Sequence, residues 1–225
     1  MKGLTVIFTF FIIGLSAVNA QEKVNQFNKN GERTGEWVKY YDNGNVRYRG
    51  QFENGKEVGV FKFYSMISNS EPIIIKTFST ASNIAKVAFY STEGVLESNG
   101  EMDGENRVGL WVFYHKDGKT IVSEENYKNG LLDGESKTYY RNGKITETMF
   151  YKNGVLEGNL KRFSDEGILL DDLNYKNGKL SGLAKYYNTA GELTMTGYYE
   201  NNERIGEWNY FENGKPAKEE DVKQK

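Results

Sequence analysis

The tetrapeptide YKNG stands at Tyr127–Gly130, Tyr151–Gly154 and Tyr175–Gly178, 24 residues from one copy to the next. Near copies flank the series at Phe52–Gly55 and Tyr199–Asn202. Asn-Gly accepts positive φ at both central positions of a tight turn. It therefore favours the primed turns whose twist matches that of two antiparallel strands. An aromatic residue two places before such a turn, returning at a fixed interval, reads as the end of one strand of a repeated hairpin.

A second column supports the period. Gly35, Gly59, Ile84, Gly109, Gly134, Gly158, Gly182 and Gly206 are separated by 24 or 25 residues, with Ile84 standing for glycine in a degenerate third copy. Five residues on, Tyr40, Tyr64, Phe89, Tyr114, Tyr139, Phe163, Tyr187 and Phe211 are all aromatic. The column before the turn runs Phe27, Phe52, Phe78, Met102, Tyr127, Tyr151, Tyr175 and Tyr199. Between these columns, stretches such as Val46–Phe52 alternate polar and apolar residues with a period of two, as a half-buried strand does. Turn signals arrive about every twelve residues, too often for an amphipathic helix. The reading is all-β: one elongated antiparallel meander of about eight hairpins of 24–25 residues, covering 21–214, with each aromatic column stacked along the sheet. One interruption, Ser65–Pro72, reads as a longer polar loop bordering the degenerate copy.

The ends differ from the repeats. Lys2, an apolar run from Leu4 to Leu15 and the small-residue site Val18-Asn19-Ala20 have the layout of a secretory signal peptide. This predicts cleavage near Ala20 and export to the periplasm, the outer surface or the medium. The chain has no cysteine, so packing and backbone pairing alone must stabilise an exported fold. Lys215 to Lys225 is uniformly polar and reads as a frayed tail. Net charge is −2, near −3 without Lys2, and both signs are interspersed. That balance argues against nucleic acid as a partner and makes anionic lipid an unfavoured one.

The pattern aromatic-x-Asn-Gly, short spacer, Gly-x-Trp or apolar, Tyr-Tyr, Asn-Gly resembles the MORN-repeat variant of bacterial proteins, including those labelled YwqK-like antitoxins. The resemblance covers about residues 27–214. Its strongest copies are Gly31–Phe52, Asn126–Tyr151, Tyr175–Tyr199 and Tyr199–Gly214. It implies an elongated sheet of successive hairpins serving as a scaffold or interaction module. It implies no shared catalytic residue and no cofactor.

The residues themselves offer little chemistry. His115 is the only histidine and sits in the Tyr114–Gly118 turn, where it is expected to be solvent-exposed. One histidine without cysteine cannot form a His/Cys metal cluster. The carboxylates Glu36, Glu135 and Glu207 recur just after the repeat glycine and read as a solvated face. The function expected is a non-enzymatic module binding an unidentified protein at the cell envelope. The alternatives are an envelope glycan, stacked on a Trp/Tyr ladder, or a partner toxin neutralised by an immunity-type protein. Candidate partner-binding residues are Trp37, Phe61, Trp111, Tyr186 and Trp208, with Trp37, Trp111 and Trp208 in one column.

Overall fold

A computed structural model of the protein describes residues 23–80 and 82–218. The expected signal peptide lies outside the described residues, as does most of the polar tail. Among the described residues, nineteen strands form one antiparallel sheet in which each strand pairs with the next in sequence, except that Val155–Leu156 and Gly158–Phe163 both pair with Ile145–Lys152, and Lys179–Leu180 and Gly182–Tyr187 both pair with Leu169–Lys176. The all-β meander read from the repeat is the architecture.

Four of the Asn-Gly turns lie along one long side of this sheet. At Asn54-Gly55, Asn129-Gly130, Asn153-Gly154 and Asn177-Gly178 both residues have positive φ, 47–51° for the asparagines and 76–80° for the glycines. The glycine N–H of each turn donates back to a carbonyl of the preceding hairpin: Gly55 to Arg33, Gly130 to Arg107, Gly154 to Leu132 and Gly178 to Leu156. Neighbouring turns are thereby locked together. On the opposite long side the side chains reach forward instead. Tyr41 donates to the carbonyl of Tyr64 and Tyr140 to that of Phe163, while Asn142 donates to the carbonyl of Asp165.

The repeat glycine has a separate cause. Gly109 has φ of +65°, a conformation open to glycine at little steric cost. It lies where the Asn106–Tyr114 strand slips register against Leu96–Asp103, between Asn99 and Glu101. The two extra residues make a bulge that lets the strand bend. On its other side Gly109 pairs with Tyr127, as Gly35 pairs with Phe52 and Gly134 with Tyr151, so the aromatic column before each turn faces a glycine.

The third copy is framed differently from the sequence reading. Ala85, not Ile84, pairs with Met102 in the glycine position, and Tyr90, not Phe89, occupies the aromatic column opposite Leu96. Between Ser68–Ser79 and Ser82–Tyr90 the register runs unbroken from Ile74↔Phe89 to Phe78↔Ala85. Without a bulge there is no need for positive φ, and alanine suffices.

The expected loop at 65–72 is also absent. Lys56–Ser65 and Ser68–Ser79 form a long hairpin closed by a turn at Met66-Ile67, and two register shifts around Tyr64 absorb the additional residues. The tail enters the fold further than expected. Lys215–Ala217 forms a strand pairing with Tyr210–Glu212.

Ring stacking along the column that includes Tyr64, Tyr114 and Tyr139 does not occur. Among the described residues no two rings of that column touch. The rings that meet lie on the other face: Trp37 with Phe52 (5.8 Å between centroids), Phe52 with Phe61 (5.3 Å) and Phe61 with Phe78 (5.4 Å). Column members stand two strands apart, roughly 10 Å, which exceeds ring-contact distance.

Candidate interaction surfaces

Period-two alternation gives each strand an inner face, carrying the residue two places after the repeat glycine, and an outer face. The inner positions form one row across the sheet. It runs Trp37, Gly50, Phe61, Lys76, Val87, Gly100 and Trp111, each the cross-strand neighbour of the last. It continues through Glu125, Ser136, Met149, Leu160, Leu173, Ala184, Gly197 and Trp208.

Size is complementary along this row. A Cβ on Gly50 would lie 2.4 Å from the ring of Phe61; on Gly100, 2.5 Å from Trp111; on Gly197, 2.3 Å from Trp208. Those separations are far inside van der Waals contact, so each ring lies directly over glycine backbone. Where the row is aliphatic no such glycine is needed: Leu160 packs with Leu173 and Met149, and Leu173 with Ala184.

The five candidate residues therefore divide. Phe61 and Trp111 have no accessible surface and offer nothing to a partner as they lie. Trp37, Tyr186 and Trp208 are half-buried. An arginine two residues before the repeat glycine lies over each tryptophan: Arg33 at 5.0 Å from the Trp37 centroid, Arg107 at 4.5 Å from Trp111 and Arg204 at 4.3 Å from Trp208. The indole of Trp111 also donates to the carbonyl of Glu101, and that of Trp37 to the carbonyls of Gln26 and Thr34. The indole N–H of Trp208 has no partner among the described residues. These arginines and the glycines beneath the rings were missed in the sequence. Both signals were available, as Arg-x-Gly-x-Trp at 33–37, 107–111 and 204–208 and as a glycine eleven residues before Phe61, Trp111 and Trp208.

Tyrosine hydroxyls and charges occupy the inner face beyond Trp111. Tyr127 donates to Glu125 at 2.6 Å and accepts from Arg107. Burial, then the bond to Glu125, pushes the Tyr127 hydroxyl above its usual range. Arg162 bridges Glu147 and Asp171. Near the C-terminal edge the Tyr186 and Tyr199 hydroxyls are 3.3 Å apart, and Arg204 reaches those of Tyr199 and Tyr210. Burial and the Tyr199 contact raise Tyr186.

The outer face changes along the sheet. Around Lys137 it is charged, with Lys137 bridged to Glu135 at 2.7 Å and the Tyr139 hydroxyl donating to Glu124 at 2.8 Å. The residues equivalent to Lys137 one and four hairpins earlier are the valines Val112 and Val38. Burial, then the Glu124 bond, pushes the Tyr139 hydroxyl up to about 12. Between Val60 and Val112 the same face mixes apolar and charged side chains. Val60 and Leu110 are about half exposed, at 48% and 49%. Between them lies an open groove of about 590 Å³ lined by Ile75, Thr77, Ala88, Tyr90, Asn99 and Leu110, among others, with Lys86 and Glu101 the charged residues of its lining.

His115 is not the exposed turn residue expected. It is half-buried, and its Nε2 is shielded without a partner among the described residues. Its backbone closes the turn, the N–H donating to the Thr120 carbonyl and the carbonyl accepting from Gly118. Among the described residues no group of three or more histidines and carboxylates is placed to hold a metal ion.

A search of curated proteins finds no match. The profile of a family described as a MORN repeat variant matches residues 33–54, 107–129 and 132–153, so these three stretches are similar to a repeat commonly used for protein interaction or scaffolding.

Proposed function

We propose that the protein is a non-catalytic interaction module at the cell envelope, and that it docks a partner protein on its outer face between Val60 and Val112. The observation that carries this reading is the groove between Val60 and Leu110. It is open, and it sets Ile75, Ala88 and Leu110 beside Thr77, Lys86, Asn99 and Glu101, whereas the inner row is occupied by the sheet's own packing. The envelope location rests on the leader-like N-terminus.

The test uses the mature chain as bait in its own envelope fraction. Leu110→Lys places a charge at the groove without disturbing the inner row, and Tyr198→Lys makes the same change on the outer face far from it. Capture of a partner that is lost with Leu110→Lys and kept with Tyr198→Lys supports the reading. Equal capture by both variants sinks it.

The glycan alternative has one specific support, the half-buried Trp208 with its unpartnered indole N–H. Binding of peptidoglycan fragments that disappears in a folded Trp208→Ala variant would favour it.

A further inference from the structure

Nine Asn-Gly pairs give this chain an unusual number of sites for one spontaneous reaction. The glycine backbone nitrogen can attack the asparagine side-chain carbonyl carbon, forming the new C–N bond of a succinimide. The side-chain amide nitrogen leaves as ammonia. Water then opens the ring to aspartate or isoaspartate, with no oxidant or other reactant required. In a folded chain the attack needs a glycine nitrogen free of its hydrogen bond and a turn able to open.

The hairpins control both conditions. Asn54-Gly55, Asn129-Gly130, Asn153-Gly154, Asn177-Gly178 and Asn213-Gly214 share the same dipeptide and nearly the same backbone, with φ of 47–51° and 72–80°. In the first four, the glycine N–H is held by a carbonyl of the preceding hairpin at 2.7–3.0 Å. Asn213-Gly214 lies in the last hairpin, on the opposite long side, and its glycine N–H has no partner among the described residues. Opening this turn disturbs only the short pairing of Lys215–Ala217 with Tyr210–Glu212.

The remaining pairs are also restrained. Gly31, Gly44 and Gly143 donate within their own turns, to Asn28, Tyr41 and Tyr140. Asn43 and Asn142 commit their side-chain amides to neighbouring carbonyls. Gly100 lies within a strand under the ring of Trp111.

We infer that Asn213 is the site at which the folded protein deamidates first, and that inter-hairpin hydrogen bonds protect Asn54, Asn129, Asn153 and Asn177. Conversion adds a carboxylate at the C-terminal edge. Isoaspartate also lengthens the backbone of a two-residue turn, which displaces the Lys215–Ala217 strand.

The experiment incubates the full mature chain at mildly alkaline pH, folded or in denaturant, and follows all nine sites by peptide mass spectrometry. One net hydrogen bond is worth about 1 kcal/mol, so Asn213 should react about fivefold faster than Asn54, Asn129, Asn153 and Asn177 in the folded chain. In denaturant that advantage should disappear, because all the pairs share a following glycine. Folded rates at those four equal to that at Asn213, or a faster reaction at any of the other eight Asn-Gly pairs, would overturn the inference. So would an advantage of Asn213 that persists undiminished in denaturant, since it would then belong to local sequence. As a further check, Gly214→Ala should slow the reaction at Asn213 alone.

Discussion

Two stretches of the sheet solve one packing problem in different ways. Around Trp111 the inner row alternates extremes, a ring over bare backbone, with Gly100 beneath and Arg107 above. From Ser136 to Ala184 the row is even, with Met149, Leu160 and Leu173 of similar size. Both stretches follow the same turn chemistry and nearly the same repeat length. The period therefore dictates the path of the chain, while the row's volume is free to be distributed as large against nothing or as medium against medium. Interiors tolerate either distribution when total volume is kept.

The most severe way to break the comparison is to empty the aromatic stretch. Trp111→Ala removes a fully buried side chain from between Val87, Phe89, Phe113 and Tyr127. A loss of about 3–5 kcal/mol is expected, measured by urea unfolding. The opposite error, filling the space, should cost less. Gly100→Ala forces a methyl to within 2.5 Å of the Trp111 ring, and overpacking of this kind costs about 1–3 kcal/mol. A double variant, Gly100→Met with Trp111→Leu, copies the Met149/Leu160 solution. If the two solutions are interchangeable, its loss should fall short of the sum of the single losses by about 0.5–3 kcal/mol. Simple additivity would mean that the ring and glycine are not coupled.

This coupling marks the limit of what the sequence disclosed. The Asn-Gly turns and the aromatic residues before them were legible because each is set by local backbone chemistry at a fixed spacing. Gly100 was present in the same sequence, but its role depends on which residue crosses it on the next strand. That assignment requires the bulge between Asn99 and Glu101. The third copy was misframed for a related reason. Ile84 and Ala85 are both compatible with a strand, and only the unbroken pairing from Ile74 to Phe78 decides between them. The candidate residues suffered most, because column membership places Trp111 and Trp208 together while burial separates them. The groove on the outer face gave no signal at all, being made of residues such as Ile75 and Ala88 that recur at no special spacing.

A smaller effect should come from the arginines. The guanidinium of Arg107 lies over Trp111, Phe113 and Tyr127 at 4.5–5.4 Å. Arg107→Ala should cost about 0.5–2 kcal/mol, and Arg107→Lys should recover only part of it, because a compact ammonium cannot stack as a planar guanidinium does. The even stretch has leucine at the corresponding positions Leu132, Leu156 and Leu180. Leu156→Arg should therefore gain nothing.

The smallest expected difference is in the response to alkali, and it belongs to the even stretch. The Tyr139 hydroxyl is raised from an ordinary value of 10 to about 12, by burial first and then by its bond to the Glu124 carboxylate. Tyr151 and Tyr175 are raised as well, chiefly by burial. A raised value means that the folded state holds the neutral phenol more firmly than the unfolded chain does. The resulting stability is fully present below pH 10 and is lost as pH rises from 10 towards 12. Urea midpoints measured across that window should fall with pH in the native sequence and fall less steeply in Tyr139→Phe, which has no proton to lose. If Tyr139→Phe leaves the profile as steep as in the native sequence, alkaline unfolding reflects the charge of the whole chain rather than the half-buried phenols of the even stretch.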